Sequence, residues 1–126
     1  IVLMDNHATV RNTINMDSSY WDAIHQGMRK VIESKSYYSD LGVKVAGKTG
    51  TAEENKNRGN HALFVCYAPY EQPEIAVATR IAYGYTSTYA ARMTKEVLKY
   101  YFDLAEEDEV ITGTASQITG VIEAND

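Results

Sequence analysis

The run His61-Ala62-Leu63-Phe64-Val65-Cys66-Tyr67-Ala68 constrains the fold more than any other stretch. It is rich in β-formers and apolar on both faces, as a central strand should be. Pro69-Tyr70-Glu71-Gln72-Pro73 follows. Prolines cannot donate to a ladder, so this segment stops one strand and closes a hairpin onto a second run, Glu74 to Tyr83. Upstream, Val43, Val45 and Thr49 alternate in a further strand that merges into Gly47-Lys48-Thr49-Gly50-Thr51. The polar, glycine-containing segment 53–60 reads as an exposed connection, and Ser36 to Gly42 as a loop.

Two helices flank these strands. Asp17, Ser18 and Ser19 offer side-chain oxygens to the orphan N–H groups of a helix start. Behind them Trp21, Ile24, Met28, Val31 and Ile32 form one apolar stripe on a helix running to about Lys35. A second helix starts near Thr86 or Ser87, with Ala90, Met93, Val97, Tyr100, Tyr101 and Leu104 on its expected inner face and Arg92, Lys95, Glu96 and Lys99 opposite. The order predicts an α+β unit, an antiparallel three-stranded sheet with both helices covering one face. At 126 residues the chain holds one small domain. The net charge of −5 is concentrated at the end: residues 1–102 carry 12 basic and 10 acidic side chains, residues 103–126 carry 7 acids and no base. The expected division is therefore a folded part, 1–104, and an acidic, solvated tail, 105–126.

Chemistry concentrates in Val45-Ala46-Gly47-Lys48-Thr49-Gly50-Thr51-Ala52-Glu53. Glycines at the end of a strand keep its surface bare, so a ligand can lie against the backbone. The open N–H groups of such an edge pair with an extended peptide-like ligand. Lys48 adds positive charge, and Thr49 and Thr51 add hydroxyls that can hold a carboxylate. The expectation is an open shelf over residues 45–51. With Gly42, the segment also matches the spacing G-x-x-x-x-G-K-T of a phosphate-binding loop. That reading fails on context, because Val43-Lys44-Val45-Ala46 forms a strand and Gly50 with its polar sequel makes a poor helix start.

With the Lys48-Thr49-Gly50-Thr51 strand, the His61 to Pro69 run and the closing helix, the chain resembles the penicillin-binding proteins. More narrowly it resembles the C-terminal part of a class B transpeptidase domain, most like the elongation-type penicillin-binding protein 2. The resemblance runs from about Ser19 to Phe102 and implies a partial β-lactamase/transpeptidase-like fold. It also implies serine acyl transfer on peptidoglycan stem peptides, binding of β-lactams, and a place at the extracytoplasmic face of the bacterial membrane. Family motifs are S-x-x-K, S-x-N and K-T-G. Only the last is present: none of Ser18, Ser19, Ser34, Ser36, Ser39, Ser87 and Ser116 has a lysine three positions on, and S-x-N is absent too. Carried over by position, the catalytic residues would be Lys48 and Thr51, and the substrate-binding residues Lys48, Thr49, Gly50 and Thr51. Lys48 would orient the S-x-N serine and attract the substrate carboxylate. The Thr49 and Thr51 hydroxyls would bind that carboxylate, and the Thr51 N–H would supply one oxyanion donor. The chain alone is expected to be inactive, and its sheet edge to favour self-association. A non-catalytic interaction module, or a fragment of a β-lactamase or β-lactam sensor, is the alternative.

The other reactive side chains read as structural. His61 has no Cys, His, Asp or Glu at ligand spacing and suits a strand start, and no metal or cofactor is expected. His7 and His25 suit surface positions, and Cys66 a buried small hydrophobe. The ten tyrosines mostly fall at core and interface spacings, with Tyr83 and Tyr85 the two that could line a groove. A balance of +2 over residues 1–102 is too weak for nucleic acid. No run is long and apolar enough for a membrane helix, and no basic-then-apolar leader opens the chain.

Overall fold

The computed structural model describes residues 9–105 of the chain. The apolar opening Ile1–Met4, His7 and the acidic tail beyond Ala105 lie outside them. Helix α1 spans Ser18–Glu33, strands β1, β2 and β3 span Ala46–Ala52, His61–Ala68 and Ile75–Ile81, and helix α2 spans Ser87–Tyr101. The sheet is antiparallel throughout, in the order β1-β2-β3. Strand β2 is central and occupies the run that the sequence singles out.

Alternation along β2 sorts the sheet into two faces. Ala62, Phe64, Cys66 and Ala68 are buried on one face, joined by Ile75, Val77, Thr79 and Ile81 of β3. Helix α2 covers this face: Thr94 Oγ1 lies 2.6 Å from Thr79 Oγ1 and also donates to the Ala90 carbonyl. The loop expected over 36–42 carries a short 3₁₀ turn, Ser36–Tyr38, that drives Tyr38 and Leu41 into the same core. The Tyr38 ring meets Phe64, and its hydroxyl donates to the Ala91 carbonyl at 2.8 Å.

Helix α1 does not share that face, contrary to expectation. It packs on β1 and reaches the opposite side, where His25 meets Tyr67, the neighbour of Cys66 and Ala68 on β2. Its Asp17 cap accepts from the Ser19 N–H at 2.8 Å as expected. The apolar stripe is covered only at its last turn: Ile32 is buried, whereas Trp21 and Ile24 remain exposed.

Helix α2 is turned about its axis relative to the expectation. Its inner face is Ala90, Ala91, Thr94, Lys95 and Leu98, while Met93, Val97, Tyr100, Tyr101 and Leu104 face outward. The helix carries two apolar stripes. The one with small residues wins because alanines let the helix approach the sheet, and Thr94 finds a hydroxyl partner there. Lys95, expected outside, snorkels along the core and ends on Asp40 at 2.6 Å. That ammonium holds the Asp40 carboxyl below its usual range. The tyrosines also depart from expectation, since Tyr38 is the one of the ten that is buried.

Replacing Phe64 with alanine should lower unfolding free energy by about 3–5 kcal/mol in urea titrations, the cost of a cavity at a fully buried aromatic. Lys95→Met should fall within about 1 kcal/mol of wild type, whereas Asp40→Ala should destabilise modestly because it leaves a part-buried ammonium without its carboxylate. The depressed Asp40 carboxyl stabilises the fold above the usual aspartate range. That contribution is lost as pH falls below about 4, a loss that Asp40→Asn should not show.

Candidate functional site

Strand β1 is an edge strand, and α1 covers only its first half. Val45, Ala46 and Gly47 are buried, Thr49 and Gly50 are partly exposed, and Lys48 and Thr51 are exposed. The shelf expected over 45–51 is thus reduced to 48–51. Arg29 of α1 closes the covered half by donating to the Val45 carbonyl at 2.9 Å, and is itself paired with Glu33. On the approach to β1, Lys44 pairs with Glu71 of the β2–β3 turn.

The two glycines play different parts. A Cβ on Gly47 would sit 2.8 Å from Phe64 Cζ and 2.8 Å from the Val65 carbonyl oxygen. Gly47 is therefore required by the packing of β1 on β2 and leaves no bare surface for a ligand. At Gly50 a Cβ would meet the Leu63 side chain at ordinary contact distance, Cβ at 3.4 Å and Cδ1 at 3.8 Å. Gly50 is the position that keeps the open edge flat.

Register decides what the open edge offers. Gly47 pairs with Cys66, Thr49 with Phe64 and Thr51 with Ala62, so Thr49 and Thr51 share the α2 side of the sheet while Lys48 and Gly50 take the other. The cation and the hydroxyls bracket the edge from both sides. The carbonyls of Val45 and Thr49 both accept from side chains, Thr49 from Lys48 Nζ at 2.7 Å. In an antiparallel strand a residue's N–H and C=O leave on the same side, and the side alternates from residue to residue. Odd-numbered residues of β1 therefore aim their backbone groups away from β2. Thr49 and Thr51 present their N–H groups at the open edge, beside the Lys48 ammonium. Such an array suits an extended ligand with an acyl oxygen and a nearby carboxylate.

Beyond Thr51 the chain enters the loop 53–60. His61 starts β2 as expected; it is also buried, and it is the centre of a polar cluster that its sequence position gives no hint of. Its Nε2 lies 2.8 Å from Glu54 Oε2, and its ring centre lies 4.8 Å from that of Tyr83, the two rings tilted by 36°. That hydrogen bond pulls the Glu54 carboxyl below its usual range. Glu54 lies seven residues away and Tyr83 twenty-two, so no local spacing announces them. Cys66 faces the core, where burial pushes its thiol up to about 11 and leaves it unreactive at neutral pH. No group of three or more His, Cys, Asp or Glu that could hold a metal occurs among the described residues.

Residues 3–101 match the family model described as the penicillin binding protein transpeptidase domain. The peptidoglycan D,D-transpeptidase MrdA of Haemophilus influenzae is 29% identical over 74% of this chain and 20% of that protein. Penicillin-binding protein 2A of Bacillus subtilis is 29% identical over 92% of this chain and 18% of that protein. Among solved structures, penicillin-binding protein A from M. tuberculosis, an imipenem acyl-enzyme complex, superposes with a TM-score of 0.61 at 25% identity over 69% of this chain and 20% of that one. Penicillin-binding protein 2 of Pseudomonas aeruginosa gives 0.60 at 29% identity over 76% of this chain and 22% of that one. The chain thus spans about a fifth of the length of the relatives it matches.

Gly47→Ala should destabilise by about 1–3 kcal/mol, the range for overpacking a filled core. Gly50→Ala should stay within about 0.5 kcal/mol of wild type, because its Cβ makes only ordinary contact. Parallel urea titrations of the two variants check the contrast.

Proposed function

The chain belongs to the penicillin-binding protein transpeptidase family, in its class B branch, and from that premise we propose that it is the KTG-bearing C-terminal portion of a peptidoglycan D,D-transpeptidase. The observation that carries the reading is the open half of β1. There a cation, two hydroxyls and two outward N–H groups converge on four consecutive residues, Lys48 to Thr51.

In this reading a serine on the rest of the protein attacks the D-Ala-D-Ala carbonyl of a stem peptide. The tetrahedral oxyanion accepts a hydrogen bond from the Thr51 N–H, and the second donor comes from the nucleophile's own segment. The terminal carboxylate lies against the Thr49 and Thr51 hydroxyls. Lys48 draws that carboxylate in and orients the S-x-N serine. Among the described residues its ammonium donates to the neighbouring Thr49 carbonyl, a bond that a ligand or a second side chain can replace. Gly50 lets the peptide lie flat. The intermediate collapses by breaking the D-Ala–D-Ala amide bond, and the departing D-alanine amine takes the proton that the base removed from the serine. The acyl group then passes from the serine to an amine of a neighbouring strand, and β-lactams acylate the same serine by opening their ring. The setting is the extracytoplasmic face of the membrane. Residues 1–104 form the domain portion and 105–126 its acidic tail. No helix among the described residues is long and apolar enough to cross a membrane.

Fluorescent penicillin with a denaturing gel tests the assignment. The 126-residue chain alone should give no labelled band, since a serine hydroxyl needs its lysine base. The intact protein should be labelled, and Lys48→Ala should slow its acylation by about 10²-fold, the usual cost of removing an electrostatic contact to the reacting group. An intact protein that folds but never labels points instead to a non-catalytic module of the same fold. The open β1 edge also leads us to expect that the isolated chain self-associates, with the apparent mass in light scattering rising with concentration.

A further inference from the structure

The turn between β3 and α2 holds two bulky residues in the left-handed region, Tyr83 at φ 54° and Tyr85 at φ 62°. Side chains of this size rarely adopt that conformation, and it persists only where surrounding contacts impose it. Those contacts come from the start of β2. The Tyr85 N–H donates to the Asn60 carbonyl at 2.9 Å, and the Tyr83 N–H donates to His61 Nδ1 at 3.2 Å. Gly84 between them has no room for a side chain, because a Cβ would lie 2.9 Å from Ile81 Cγ2 and 3.0 Å from Ala62 Cβ.

The second bond fixes the imidazole's tautomer. Nδ1 accepts from the Tyr83 N–H, and Arg80 Nη2 approaches the same nitrogen at 3.5 Å. The ring proton therefore sits on Nε2 and is donated to Glu54 Oε2. Tyr83 closes the circuit. Its hydroxyl reaches Glu54 Oε2 at 3.4 Å and accepts from Arg58 Nη1 at 2.8 Å, while the Arg58 guanidinium lies 5.3 Å from the tyrosine ring centre. Glu54 and Arg58 belong to the loop after β1, and Tyr83 to the turn after β3. His61 alone is buried, and it joins the two.

The place of this joint matters. His61 pairs across the ladder with Ala52, the residue after Thr51. The clamped loop is thus the direct continuation of the open edge, and it walls a cleft lined by Glu53, Lys56, Arg58, Asn60 and Tyr85. We propose that His61, in its Nε2–H form with Glu54 and Tyr83, is a positioning residue for acyl transfer: it locks the loop 53–60 to the β3–α2 turn and so fixes the Thr51 end of the edge beside the bound acyl donor. The proposal rests on the transpeptidase reading above. His61 touches no ligand itself; it acts through the backbone of Ala52 and the loop.

Glu54 is the residue to vary, because its side chain is largely exposed and its loss leaves the core intact. In the intact protein, Glu54→Ala should lower the second-order rate of acylation by fluorescent penicillin about tenfold, in line with the sensitivity of such steps to small misplacements. Glu54→Gln, which keeps an acceptor for the Nε2 proton, should restore most of that rate. Rescue of the rate by the glutamine variant is the readout that a merely structural role would not move, and nitrogen-15 spectra of histidine-labelled protein check the tautomer beside it. The His61 signals should show a single Nε2–H tautomer in wild type and in both variants, because the Tyr83 N–H keeps Nδ1 as the acceptor. Wild-type acylation by Glu54→Ala, or an Nδ1–H tautomer in wild type, overturns the inference. An intact wild-type protein that takes no label at all overturns the transpeptidase reading, and the inference falls with it.

Discussion

The missing side chain at Gly47 fixes the register of β1 against β2, and the candidate site follows from that register. A Cβ there would strike Phe64 and the Val65 carbonyl, so β1 can lie this close to β2 only with glycine opposite Cys66. A slip of one residue would exchange the faces of every side chain on the strand. Lys48 would then point to the side now held by Thr49 and Thr51, and the outward N–H groups would turn inward. The segment is thus bound by packing at its first glycine and open at its second. One tetrapeptide can hold a cation on one side of an edge and hydroxyls on the other because the core residue before it sets the phase.

Helix α1 and the 53–60 loop divide the remaining length of β1 between them. Arg29 spans from α1 to the Val45 carbonyl and seals the strand's beginning. At the other end Ala52 pairs with His61, whose partners anchor the loop. The open edge is what these two closures leave between them. Its short length limits an extended ligand to a few backbone contacts, so a ligand seated there must be held by the cation and hydroxyls as well.

Much of this was legible in the sequence. The bounds of β2, the Asp17 cap and the edge position of Lys48 to Thr51 follow from patterns of period two, capping chemistry and proline placement. What was not legible has definite causes. Helix α2 carries two apolar stripes, and a count of hydrophobicity favours the one with Met93, Val97 and Tyr101. The sheet selects the other because Ala90 and Ala91 permit close approach and Thr94 meets Thr79, facts of the neighbour and not of the helix. Likewise α1 goes to the opposite side because its anchors, the Val45 carbonyl and Tyr67, lie just ahead of β1 and on the far face of β2. His61 reads as a plain strand start because its partners are assembled by the loop and the β3–α2 turn.

An exposed lysine on an edge strand also has a plain role, since charge there discourages another strand from pairing. For Lys48 that role and a ligand-binding role draw on the same fact. The open N–H groups of Thr49 and Thr51 would serve a second chain as readily as a peptide ligand. A nearby ammonium imposes a desolvation cost on an incoming apolar strand but attracts one that ends in a carboxylate. Edge protection and selection of an anionic chain end are then one physical effect, and the partner's charge decides which is observed. That is a reason for a lysine, with its flexible stem and mobile ammonium, at the first exposed position of the edge.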